Sequence, residues 1–262
     1  MKNGQRTPAY MFFINLMALI VAYYLSILLH EWAHGTVAWL YGEKSSPFAV
    51  KYGGWFLMNA DEQVDYSDLI QAGRGVAAAL IGIAGSALSF FFLLASFIWL
   101  NKKSILRSPI KFTFVYWFLI INMIPMVQYL TVSTFSTEGD TGRFIHGLNI
   151  SGWWIFVPGL CFISYALWRI LTIEIIKAYA VMPVKTVLGR NLLLLLTLAL
   201  IFWFIYSHGY NPLTDEGTNA PGKIYALISI ALVPILFVLC NPLRTWVKKS
   251  GDNCFWQAGL DK

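Results

Sequence analysis

Residues 9–34 read AYMFFINLMALIVAYYLSILLHEWAH, and this stretch decides the fold. Residues 9–29 carry no charge. About 20 apolar residues cross the hydrocarbon of a bilayer as a helix, so the run reads as one membrane span. It is too long for a signal peptide and lacks the small-residue cleavage pattern, so it reads as a retained anchor. At about 1.5 Å per residue, His30 lies roughly 31 Å beyond Ala9, near the far membrane face. There the chain turns to His30-Glu31-Trp32-Ala33-His34, an H-E-x-x-H pattern. Residues four apart share a helix face, so His30 and His34 can present two imidazole nitrogens to one metal ion. Glu31 stands next to that face, where a carboxylate can take a proton from water. Zinc suits two imidazoles and a third ligand with one position left open. The plainer alternative is a helix end whose two histidines reach toward interfacial water.

The remainder of the 262 residues agrees with a membrane protein. The chain is 58% hydrophobic and 12% charged, where soluble domains carry about 25% charged residues. Its expected surroundings are a lipid bilayer. The net charge of +6 reads as topology, with no nucleic-acid partner expected. Cys161, Cys240 and Cys254 lie far apart and suggest neither a disulfide framework nor a thiol metal site.

Working outward, further apolar runs cover 75–100, 112–132, 153–171, 192–206 and 224–239. The fold class expected is an all-α polytopic membrane protein with six transmembrane helices. A candidate short β-hairpin lies between the first two, where residues 48–52 and 55–58 flank Gly53-Gly54. Asp61, Glu62, Asp65 and Asp68 follow and read as a solvated loop. The second run opens with small residues, which permit close helix contact in lipid. The third contains Asn122-Met-Ile-Pro125; the proline interrupts the backbone ladder, and an asparagine in a span needs a partner. Glu174 and Lys177 are spaced to pair on a helix.

Six spans place fourteen of the nineteen Lys and Arg residues on the side of the N-terminus. This asymmetry predicts both termini in the cytoplasm. It also puts HEWAH and the 133–151 loop on the same, extracytoplasmic side, as one metal site requires. That loop offers Glu138, Asp140 and His146 as third ligands.

The ordered set His30-Glu31-x-x-His34, Ala84-Gly85-Ser86-Ala87-Leu88-Ser89, Asn122-x-x-Pro125 and Asp140-Thr141-Gly142 resembles the site-2 protease family of intramembrane zinc metalloproteases. The resemblance covers roughly residues 10–150. It implies Zn²⁺ held by His30, His34 and Asp140, with Glu31 as general base. Asn122 and Pro125 would position the substrate backbone, and the 48–58 hairpin is similar to the sheet that the family packs beside its site. The substrate it implies is a transmembrane protein cut in or near its span. The chain departs from the family in a longer Pro125–Asp140 interval and in Ser86 and Ser89, which stand where proline and asparagine are common. Asp140 is also followed by threonine rather than directly by glycine. The expected organisation is thus a catalytic core at 1–150 and, in the same membrane domain, three further helices with a basic cytoplasmic tail at 151–262. An inactive relative that binds membrane proteins in quality control, or an ion transporter using the same residues, are the other readings.

Overall fold

The computed structural model describes residues 8–57, 60–182, 184, 186–202 and 220–247. The first helix, α1 (Pro8–Leu40), starts with proline at its first position, where the missing N–H costs nothing. It stops at Gly42, whose φ of +79° lets Glu43 N–H reach back to the Ala38 carbonyl and close the last turn. The helix runs through HEWAH, so His30 and His34 lie on one face as their spacing requires.

Among the described residues, four helical stretches are long and apolar enough to cross a membrane: Tyr10–Leu40, Gly75–Trp99, Pro109–Phe135 and Trp153–Val181. The second is α3 (Gly75–Trp99), reached through the short α2 (Tyr66–Gln71). The short α4 (Lys103–Leu106) then leads to α5 (Pro109–Val127). The α5 helix continues through Pro125 and then widens into a π-turn, Gln128–Val132. A short 3₁₀ turn and α6 (Gly139–Leu148) follow. The fourth long stretch comprises α7 (Trp153–Arg169), a second π-turn at Ile170–Glu174, and α8 (Ile175–Val181). Two shorter apolar segments belong to α9 (Val187–Ile201) and α10 (Ala220–Leu239).

α1, α3 and α5 pack against one another, and α5 is the most enclosed. Phe112, Tyr116, Trp117, Leu119, Ile120 and Met123 of α5 are fully buried. Polar groups tie these apolar helices at fixed points, where lipid offers no competing partner. Trp117 Nε1 donates to Asn15 at 3.1 Å, Tyr116 meets Thr197 at 2.7 Å, and Asn122 Nδ2 donates to Ser26 at 3.0 Å. The expected Glu174–Lys177 pair forms at 3.0 Å, with Arg169 on the other carboxylate oxygen. Arg169 also covers the Phe97 ring and donates to the Phe97 carbonyl near the end of α3.

The segment between α1 and α3 differs from expectation in two ways. Among the described residues no strand forms over 48–57; the pairing there is one isolated antiparallel bridge between Lys51 and Asp61. The Gly53-Gly54 pair leads instead into a turn that lies against α1, and Met58 lies outside the described residues. Tyr23 donates to the Phe56 carbonyl at 2.6 Å and Tyr24 to the Trp55 carbonyl. Gly35 lets the chain pass at Pro47, whose carbonyl a Cβ there would overlap. Residues 47–56 therefore run back along α1, from just past His34 to the middle of the helix. The second difference is Glu62, which is buried rather than solvated. Its carboxylate accepts from Arg143 at 2.8 Å and from the Tyr66 hydroxyl, which compensates the loss of water.

Candidate metal centre

α1 and α6 bring together three donors that are far apart in sequence. His30 Nε2 and His34 Nε2 are 3.2 Å apart, and each lies 3.2 Å from Asp140 Oδ2. His34 is 1% exposed and Asp140 3%. Asp140 stands in the first turn of α6, where the helix dipole favours a carboxylate. Gly139 makes this entry possible: its φ is +78° and its α-carbon faces Ser133 and Tyr129. Burial opposes the charged form of Asp140; when the facing His34 and His30 rings are protonated, their charge holds its carboxyl far below the usual range.

The ring nitrogens facing away from this triangle are also engaged. His34 Nδ1 lies 2.6 Å from the Ile81 carbonyl, which can only accept, so Nδ1 carries a proton and, in the neutral ring, leaves the lone pair on Nε2. His30 Nδ1 lies 3.1 Å from Ser89 Oγ. The Ser86 hydroxyl donates to Asp140 Oδ2 at 2.6 Å. Gly85 completes the cradle, because a Cβ there would overlap both Nε2 atoms. Tyr129 stacks beside His30, with ring centroids 6.1 Å apart.

This donor set fits a divalent ion such as zinc. A tetrahedral ion with bonds of about 2.0–2.1 Å has donor–donor edges of about 3.3–3.4 Å, close to those of the triangle. Glu31 Oε2 is enclosed and has no hydrogen-bond partner among the described residues, an expensive condition for a carboxylate oxygen.

Of the sequence candidates, the structure joins His30, His34 and Asp140, with Glu31 alongside. Glu138 and His146 are exposed and line a separate open cleft with Tyr66 and Arg143. Asn122 is 1% exposed and faces α1 at Ser26, one helical turn before His30. Its Oδ1 is enclosed without a partner among the described residues. Pro125 lies within α5 shortly before the π-turn that carries Tyr129. Sequence reasoning noted Ser86 and Ser89 only as departures from the family element and missed their contacts, the Ile81 carbonyl and the pair Glu62–Arg143. Arg143 follows Asp140 by one turn of α6, and its guanidinium rests over the Tyr66 ring at 4.1 Å. Burial and then the Glu62 charge raise the Tyr66 hydroxyl well above its ordinary pKa, so it remains a donor. The i, i+3 spacing of Ser86 and Ser89 on a small-residue helix was the available signal. Comparison with family models, with curated proteins and with solved structures gave no match to this chain.

Proposed function

We propose that this chain is an intramembrane zinc metalloprotease of the site-2 protease kind, hydrolysing a peptide bond in or near a transmembrane segment of a protein substrate. The observation that carries the reading is the triangle of His30, His34 and Asp140 donors, with Glu31 next to it on α1, its Oε2 enclosed and without a hydrogen-bond partner among the described residues. Zinc, when bound, supplies Lewis acidity toward a carbonyl and toward water. Glu31 Oε2 accepts a proton from the attacking water and returns it to the leaving amine. The enclosed Asn122 Oδ1 accepts a backbone N–H from a locally unwound substrate, since a helical substrate conceals its scissile carbonyl. Tyr129 and the buried wall of α3 exclude water other than the reactant.

In this reading the apolar segments of α9 and α10 complete six spans. Both termini lie in the cytoplasm, and the centre opens toward the extracytoplasmic side. The lysine and arginine asymmetry supports that orientation.

The test uses full-length protein in liposomes with single-span model substrates and measures bound zinc alongside cleavage. Glu31→Gln is expected to retain zinc and lose cleavage by about 10²-fold or more. His34→Ala and Asp140→Ala are expected to lose both. Cleavage that persists undiminished in Glu31→Gln would end the mechanism. Zinc retained by Asp140→Ala would remove that residue from the ligand set.

A further inference from the structure

We infer that α3, which contributes no ligand, is the element that sets how tightly the three ligands hold their ion. The inference rests on the metal-centre reading above. Each ligand meets residues 81–89 of this one helix through a different group. The Ile81 carbonyl accepts from His34 Nδ1, the Ser86 hydroxyl donates to Asp140 Oδ2, and Ser89 Oγ lies 3.1 Å from His30 Nδ1, placed to accept from it when Nε2 holds the ion. Gly85 lies among them and leaves the volume into which both imidazoles project. Ser86 and Ser89 are one turn apart, so a single face of α3 serves α1 and α6 together.

The three contacts differ in kind, which assigns them different work. A carbonyl fixes the His34 tautomer and raises the basicity of Nε2. The Ser89 hydroxyl is a weaker, rotatable acceptor, so His30 is held in the same tautomer with less reinforcement. Ser86 donates to the very oxygen that faces both imidazoles. It therefore restricts Asp140 to donation through that one oxygen and prevents the carboxylate from swinging to present both. All three groups ride on one rigid helix, so they move together or not at all. Ser86 and Ser89 are thus positioning residues: they act on the ion through Asp140 and His30.

The test is Co²⁺ binding to full-length protein in detergent, in competition with a chelator, read with the visible spectrum of the bound ion. Ser86→Ala and Ser89→Ala are each expected to bind Co²⁺ 10–100-fold more weakly, with shifted absorption bands. Gly85→Ala is expected not to bind. Ser96→Ala controls for loss of a buried serine on the same helix, because its hydroxyl bonds only to the Phe92 carbonyl one turn back. It is expected to match the wild type in affinity and spectrum. If the wild type binds Co²⁺ and the Ser86 and Ser89 variants keep its affinity and bands, α3 is only a spacer; the inference fails while the metal centre stands. If the wild type and His34→Ala are alike in failing to bind, the metal centre falls and takes the inference with it.

Discussion

Glu62 is 4% exposed and is held by two side chains, one of them a cation. Replacing it by alanine strands the Arg143 guanidinium against the Tyr66 ring with no carboxylate. Breaking a buried pair from one side costs about 3–5 kcal/mol, and Arg143 retains enough solvent contact to place Glu62→Ala at about 2–3 kcal/mol. Tyr66→Phe removes a single donation to that carboxylate and is expected to cost about 1.5 kcal/mol. Chemical denaturation in detergent should give that order; equal losses would show that the ion pair contributes nothing beyond packing. The residue was misread from sequence for a physical reason. Four acids in a polar stretch look like a solvated loop, and the cation that buries one of them lies far downstream on α6. Two of the three candidate ligands were legible because helical periodicity alone places His30 beside His34. Ser86 and Ser89 were not, since their partners depend on how α3 is rotated against α1 and α6, which no local pattern specifies.

The contact between α3 and α6 is decided by glycine. A Cβ on Gly75 would overlap the Gly147 carbonyl, and one on Gly147 would overlap the Gly75 carbonyl and lie 2.8 Å from the Ala79 nitrogen. These neighbours are backbone and cannot give way, so the two helices must separate. Gly147→Ala is therefore expected to displace α6 and draw Asp140 away from the histidines. Zinc affinity should fall by at least tenfold although residue 147 lies two turns from the ligand. Gly54→Ala, with nothing near its added methyl, is the control and should bind as the wild type. Isothermal titration of both variants decides the matter; zinc binding unchanged in Gly147→Ala would mean that α6 is held by its other contacts. The small-residue run at the start of α3 announced close packing in the sequence. What it packed against was not legible, because α6 is short, amphipathic and no span.

For the whole molecule, the long apolar runs were legible because a bilayer demands them, and four reappear as helices of spanning length. The return of residues 47–56 along α1 was not, because tyrosines at positions 23 and 24 look like ordinary span residues until their hydroxyls are seen on the Phe56 and Trp55 carbonyls. A ligand that binds only the folded state stabilises it by RT ln(1 + [L]/Kd), about 2.7 kcal/mol at a hundredfold excess over Kd. Stripping zinc with a chelator is thus expected to lower the unfolding midpoint by roughly 5 °C, and zinc should restore it. His34→Ala should melt at one temperature with or without the chelator; a chelator effect of equal size in that variant would place the stabilising ion elsewhere.

The distance in sequence between HEWAH and Asp140 also gives the protein a timetable. A chain still being synthesised inserts its first helix with both histidines and Glu31 in place, but the third donor is translated only after α5 and its π-turn. Under the proposed reading, a nascent or prematurely terminated chain is harmless to the other proteins crowded at the site of insertion. Hydrolytic competence then arrives only when α6 docks on α3, so completion of the core serves as its own activation step.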